Sequence, residues 1–394
     1  MNILVCNAGS TSLKFKVFAM PEERELAEGK IERIGSKADS IFQYGNLARG
    51  ERICREGVDV PDYRTGIELF LQELLRGPLA VLERVEDIQC VGFKTVLSKG
   101  HFGVHLLDEE TIKGMEEWFP IAPAHNGPYL EAVATMRRFF STQPFVGAFE
   151  TAFHQTIPLE RRLYGAPYEW YERYGIQRMG YHGASHSYVA SRLRELMGES
   201  FRAVSCHLGG SASVCAIQDG KSVDTSFGMS LQTGLIHANR TGDLDWGLLD
   251  FLEMQGLDRE EIRRGLNKEG GLLGISGVSN DLRYIQQAAQ QGNKRAELAI
   301  RVFVTGIVRY VGAFAAEMGG LDCLAFTGGI GENSSLVREL VCRSLGHLGV
   351  ELDGEKNQAN APCISRADAR ARVLVIPANE ELIVARQSYQ ALEG

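Results

Sequence analysis

No Cys-x-x-Cys pair occurs among the eight cysteines of this 394-residue sequence, Cys6, Cys54, Cys90, Cys206, Cys215, Cys323, Cys342 and Cys363. Their wide spacing beside apolar runs fits buried reduced thiols better than zinc ligands or a disulfide framework, which points to the cytoplasm. The start carries no basic segment ahead of a signal-length apolar core. The longest apolar stretch, 298–316, is broken by Arg301 and Arg309, so neither a targeting peptide nor a membrane span is expected. Positive charge is in short supply too. With 42 Lys and Arg against 50 Asp and Glu the net charge is -8, which disfavours nucleic acid or an acidic membrane as a partner and leaves phosphate binding to local groups. What is present is the composition of a folded protein, 44% hydrophobic and 23% charged, in a chain long enough for two cores of roughly 150 to 200 residues.

Residues 2–6 are a short apolar run, 7–12 are small and polar, and 13–18 alternate like a half-buried strand, which predicts a β-hairpin. The same unit returns at 203–217, with 207–213 as its small-residue turn and a further strand at 222–225, so the architecture reads as duplicated. Three- and four-residue apolar spacing predicts helices at 63–75, 128–140, 187–197, 245–254, 282–291, 293–318 and 335–345. A strand at 321–326 runs into a glycine-rich junction at 328–334. The fold class is α/β, with a seam near residue 150 and two abutting domains able to hinge.

Three glycine-rich segments, 7–12, 207–213 and 328–334, could let backbone N–H groups converge on phosphate oxygens; each alone is more often an ordinary tight turn, and the three together favour a polyphosphate ligand. None has the Lys-Ser/Thr ending of a P-loop or the surroundings of a dinucleotide-binding Gly-x-Gly-x-x-Gly. Glu150, among apolar neighbours at the seam, suits a base, a magnesium anchor or a proton holder, or else a salt-bridged structural carboxylate. His182 and His186 flank Gly183, which reads as a turn. A phosphate-facing imidazole and a buried hydrogen-bonded histidine both remain open there. Arg240 precedes a helix start, where a guanidinium can reach an anion or make a surface ion pair.

Taken together and in order, Asn7-Ala8-Gly9-Ser10-Thr11-Ser12-Leu13-Lys14, Thr151-Ala152-Phe153-His154-Gln155, His182-Gly183-Ala184-Ser185-His186, Gly328-Gly329-Ile330-Gly331-Glu332-Asn333-Ser334 and Asn379-Glu380-Glu381-Leu382 resemble the acetate kinase family over residues 2–386. That family lies within the sugar kinase, heat-shock protein 70 and actin superfamily. The resemblance implies a duplicated two-domain ribonuclease H-like (actin-like ATPase) fold with a central active-site cleft. It places an acyl-substrate-side domain at 1–149 plus about 382–394, and a nucleotide-binding and dimerisation domain at 150–381. It implies reversible in-line phosphoryl transfer from ATP to a short-chain carboxylate in a cytoplasmic homodimer, with magnesium, or manganese in its place. Asn7 and Glu380 would hold the metal. Lys14, His207, Leu208, Gly209, Gly210 and Ser211 would meet the nucleotide phosphates, and Asp281, Leu282, Arg283, Gly329, Ile330, Gly331, Glu332 and Asn333 would surround adenosine. Glu150, His182 and Arg240 would be catalytic.

Departures from the family pattern concentrate in the acyl corner. Lys94 stands where the family has arginine and Glu150 where it has aspartate; Gly210, in the nucleotide-phosphate loop, stands where it has asparagine. Ala124, Tyr181 and Leu231 replace leucine, phenylalanine and proline, while Val96 keeps its apolar character. Lysine loses the two-pronged grip of a guanidinium, and a glutamate sets its charge about one methylene further out. These changes lead to the expectation of acetate or a larger or more polar carboxylate, or alternatively of a weakened relative that senses nucleotide.

Overall fold

In the computed structural model the chain forms two compact units, Met1–Ala152 with the C-terminal stretch from Asn379, and Phe153–Ala378. The sequence reading had put these seams at 149/150 and 381/382. The structure describes residues 1–393 apart from the side chains of Pro123 and Ala124, so the expectation about Ala124 lies outside the described side chains.

The first unit is built on an eight-stranded sheet of β1 (Asn2–Gly9), β2 (Ser12–Ala19), β3 (Arg24–Glu32), β4 (Ser40–Asn46), β5 (Glu51–Val58), β6 (Cys90–Thr95), β7 (Val104–Leu106) and β8 (Phe145–Phe149). The spatial order is β5-β4-β3-β2-β1-β6-β8-β7. Strands β1 to β5 form an antiparallel meander, and β6 and β8 continue from β1 in parallel. Side chains alternate between faces along a strand. Ile3, Val5, Phe18, Cys90, Val146 and Ala148 therefore share one face and pack on Val384 and Ala385 of the C-terminal helix Glu380–Glu393. On the opposite face the helix Tyr63–Arg76 stacks Phe70 on Phe15, ring centroids 4.4 Å apart.

The second unit repeats the scheme with β9 (Arg202–Leu208), β10 (Ala212–Gln218), β11 (Lys221–Thr225), β12 (Cys323–Thr327) and β13 (Arg372–Val375), ordered β11-β10-β9-β12-β13. Again an antiparallel hairpin series is extended by two parallel strands. The helix Lys294–Glu317 buries Ala299, Phe303, Ile307, Val311 and Phe314 against Val204, Cys206, Val214 and Phe326. It is long and apolar enough to cross a membrane, but its buried apolar residues belong to this core. On the other face, Val189, Ala190 and Leu193 of the helix Gly183–Met197 meet Ala203, Cys215 and Leu374. Six of the eight cysteines are buried in these layers and two, Cys54 and Cys363, are exposed; all are free thiols.

Three expectations shift. The segment 7–12 is mostly ladder: Asn7, Ala8 and Gly9 pair with Lys14, Leu13 and Ser12, leaving a turn of only Ser10 and Thr11. The small side chains read as a loop sit easily in a tight hairpin, where a Cβ on Gly9 would fall 2.8 Å from Ser12 Oγ. Gly183 is the first residue of a helix, and the turn is made one residue earlier by His182, whose φ of 57° is left-handed. The junction at 328–334 also proves helical, as Gly328–Asn333, and is followed directly by Ser335–Arg343.

Candidate active site

In the first unit, strand parity brings Asn7, Lys14 and Lys94 onto the face covered by the helix Glu380–Glu393. Asn7 and Lys14 are direct cross-strand partners. Lys94, next to last in β6, places Nζ 2.8 Å from Glu150 Oε1 and 2.7 Å from Glu380 Oε2. Glu150 follows β8 directly, and its N–H donates to the Thr95 carbonyl at 2.9 Å, so the ends of two parallel strands set the lysine and the glutamate side by side. Burial works against the Lys94 charge, yet Glu150 and Glu380 outweigh it and hold the ammonium well above the usual lysine range. Tyr129, from the helix Pro123–Met136, donates to Asn7 Oδ1 at 2.8 Å. Burial raises its phenol's pKa, and the charges of Lys94, Glu150 and Glu380 all reach it, so these groups surround one point. Val96 is buried just beyond β6. Lys14 lines a cavity of about 480 Å³ with Lys16, Lys30, Arg52 and Glu381.

In the second unit, Ser205, His207 and Ser213 point to the face covered by the helix Gly183–Met197, whose first turn carries Ser185 and His186 and whose cap is His182. The outcome is a packed imidazole–hydroxyl cluster. Ser213 Oγ lies 2.8 Å from both His182 Nδ1 and His186 Nε2, Ser205 Oγ lies 2.9 Å from His186 Nδ1, and Ser185 Oγ lies 2.8 Å from His207 Nδ1. The rings of His182 and His207 are 4.1 Å apart. Burial, with His154 and His207 nearby, keeps His186 well below the usual histidine range.

The turn from Gly209 to Ser211, between β9 and β10, meets Arg240. This guanidinium donates to Ser211 Oγ at 2.7 Å and to the Leu231 carbonyl, and burial lowers its pKa to about 10. Among the described residues no carboxylate pairs with it. Such a half-buried cation, held by neutral acceptors, is prepared for an anion. Beside it His237, which sequence reasoning passed over, is fully buried and takes the Ala212 N–H on Nδ1; burial and Arg240 push it down to about 3. Its only signal was adjacency to Arg240. Tyr181 is buried, and its hydroxyl donates to the Met229 carbonyl at 2.5 Å, so the expected polar partner belongs to the protein.

Across residues 2–386 the chain matches the model of the acetokinase family. The chain belongs to that family. It is 42% identical to acetate kinase of Halothermothrix orenii over 100% of both chains, and 42% identical to acetate kinase of Shouchella clausii over 98% of each. Among solved structures it resembles acetate kinase of Porphyromonas gingivalis, with a TM-score of 0.87 and 37% identity, and a propionate kinase of Francisella tularensis, with 0.89 and 31%; in both cases 99% of each chain is covered. The acetokinase fold is thus the two-domain actin-like ATPase fold expected from the motifs.

The remaining acetokinase positions from the sequence reading also gather in the second unit. Asp281 caps the helix Leu282–Gln290 and pairs with the exposed Arg283 at 2.6 Å, while Leu282 is buried. Gln286 of that helix donates to Ser334 Oγ at 2.7 Å, drawing it against the helix Gly328–Asn333 that holds Gly329 to Asn333. The Glu332 carboxylate accepts from the Gly328 and Ala378 N–H groups, and Asn333 donates to the Gly329 carbonyl. Arg338, fully buried, clamps the far end by donating to the Gly331 and Glu332 carbonyls, both at 2.8 Å. His207 pairs with Thr327 across β9 and β12, so the Leu208 turn and this helix both leave the carboxyl ends of parallel strands, where α/β folds bind ligands.

The buried histidines carry a stability prediction. His154 is lowered to about 4 and His237 to about 3, chiefly by burial, whereas an unfolded histidine titrates near 6.5. As pH falls below about 6.5 the unfolded chain takes up protons that the folded chain refuses. Each residue then costs about 1.4 kcal/mol per pH unit until its folded pKa is reached. Urea unfolding at pH 7.5, 6.0 and 5.0 should show this slope, and it should be shallower in His154→Gln. A flat profile from pH 7.5 to 5.0 would contradict it.

Proposed function

We propose that the protein transfers a phosphoryl group reversibly and in line between ATP and a small carboxylate, with the residues above in definite roles. As a member of the acetokinase family it is a carboxylate kinase with ATP or ADP as co-substrate, forming an acyl phosphate from a short-chain acid. The observation that carries the assignment of roles is Arg240, a half-buried guanidinium with neutral acceptors at the Ser211 turn. It would spread the charge of the group in transit, with His182 as a second donor. Transfer asks the protein mainly for alignment and fixed charge. A nucleotide sensor without transfer activity is not favoured.

The acid is read as acetate or a slightly larger relative, since the residues matched to the family's acyl pocket, Val96, Leu231 and Tyr181, are apolar or aromatic. The Tyr181 hydroxyl, engaged by Met229, lends no support to a more polar one. The first unit is read as the acyl side, and the second as the nucleotide and dimer side.

Asn7, Glu380 and Glu150 are hard oxygen donors fit for magnesium or manganese, although among the described residues no cluster of three His, Cys, Asp or Glu side chains makes a metal cage. Magnesium keeps waters and takes phosphate oxygens alongside one or two carboxylates, so it needs few protein donors. When bound, it would neutralise phosphate charge. Trp246, Phe251 and Met254, strongly exposed on and beside the helix Gly247–Met254, suit contact with a second copy. Eight free thiols, two of them exposed, suit a reducing cytoplasm.

The test is ATP turnover on acetate, propionate, butyrate, glycolate and lactate, with hydroxylamine trapping the acyl phosphate. A preference for the short unsubstituted acids is expected, abolished by a chelator and restored by magnesium. Nucleotide binding without acyl phosphate from any acid would overturn the reading.

A further inference from the structure

Ser213 has one hydroxyl proton and two imidazole nitrogens at 2.8 Å, His182 Nδ1 and His186 Nε2. It can donate to only one of them, so the other must donate to it. His186 is enclosed and neutral, and therefore carries a single N–H. Its remaining nitrogen faces Ser205 at 2.9 Å. The four groups form a wire with two self-consistent orientations. In one, Ser205 donates to His186 Nδ1, His186 Nε2–H donates to Ser213, and Ser213 donates to His182 Nδ1, which leaves the His182 proton on Nε2. In the other, every bond reverses and Nε2 of His182 is bare.

We propose that Ser213 and His186 are positioning residues that hold His182 in the Nε2–H tautomer, so that it presents a hydrogen-bond donor to an anion while uncharged. This rests on the reading of His182 as a donor to the transferring group. Two features of its surroundings favour an uncharged ring of fixed direction. His182 caps the helix Gly183–Met197, whose N-terminal end opposes added positive charge. Its left-handed backbone, φ 57°, fixes the direction of the ring at a cost in strain. A neutral imidazole that polarises an oxygen from a helix N-terminus is a known catalytic arrangement. Ser205 and Ser213 are fully buried, so water does not compete for the wire.

Nitrogen NMR of the histidine-labelled full chain reads the tautomer directly. A protonated Nε2 and a bare, hydroxyl-bonded Nδ1 on His182 are expected. In Ser213→Ala the two tautomers should mix and kcat should fall about tenfold at unchanged KM for ATP. Ser213→Thr, which keeps the hydroxyl, should restore both. A proton on Nδ1 of His182 in the unmodified protein overturns the proposal, as does an unaltered tautomer in Ser213→Ala. Full turnover in His182→Ala would instead remove His182 from the transfer reaction, an outcome separable from the NMR result.

Discussion

Arg240→Ala is expected to lower kcat by on the order of a thousandfold while leaving nucleotide affinity nearly unchanged, because its proposed partner is charge that develops during transfer. The guanidinium is already oriented by Ser211 Oγ and the Leu231 carbonyl, so no reorganisation is needed when the anion arrives. Burial without a carboxylate partner lowers its pKa to about 10, a cost of enclosure that a bound phosphoryl group would offset. Removing it should therefore spare stability, unlike the loss of a paired buried charge. Arg240→Lys should recover little, since one ammonium does not reproduce the planar fork that reaches both acceptors and an anion. Steady-state kinetics with hydroxamate detection, together with calorimetric ATP titration, separate the cases. Unchanged turnover removes Arg240 from the mechanism; lost affinity with intact kcat makes it a binding group only.

What was legible in the sequence was what local patterning dictates. The 3.6-residue spacing in 293–318 becomes the helix Lys294–Glu317, and the two small-residue hairpins become equivalent parts of two sheets with equivalent strand order. Helix starts were harder. The segment 128–140 reads as opening at Pro128, whereas the helix runs Pro123–Met136 and carries Pro128 past its first turn, at the cost of one backbone hydrogen bond. The glycine-rich segments were found as places but not as shapes, for the same residues can form a ladder, a turn or a short helix depending on what they pair with. The site residues were named from motifs, but their partners are long-range. Lys94 and Glu380 are 286 residues apart, and the fixed parity of β6 against the C-terminal helix brings them together. Likewise the engagement of Tyr181 by Met229, and the role of His237 behind Arg240, depend on chain crossings that no spacing reveals.

Lys94→Met should be the most destabilising single change at the site. The ammonium, with a side chain 16% exposed, lies between Glu150 at 6% and Glu380 at 15%, so deleting it leaves two largely buried carboxylates facing each other. Breaking a buried pair of this kind costs about 3–5 kcal/mol, enough to lower Tm by roughly 10 °C. The sign with pH follows from the raised lysine. Its contribution is complete below the unfolded value of about 10.4 and is lost only as pH rises through the higher folded value, so the intact protein keeps it across the neutral range. Magnesium sharpens the test. An oxygen set emptied of its ammonium should recover part of its Tm from millimolar magnesium by mass action, and the intact protein should recover much less. Lys94→Arg keeps the charge and should remain folded, so its effect on the preference among acids reads the substrate role apart from the structural one. An unchanged Tm in Lys94→Met would mean that the two carboxylates relax away from each other. Lys94 would then be free to be judged as a substrate clamp alone.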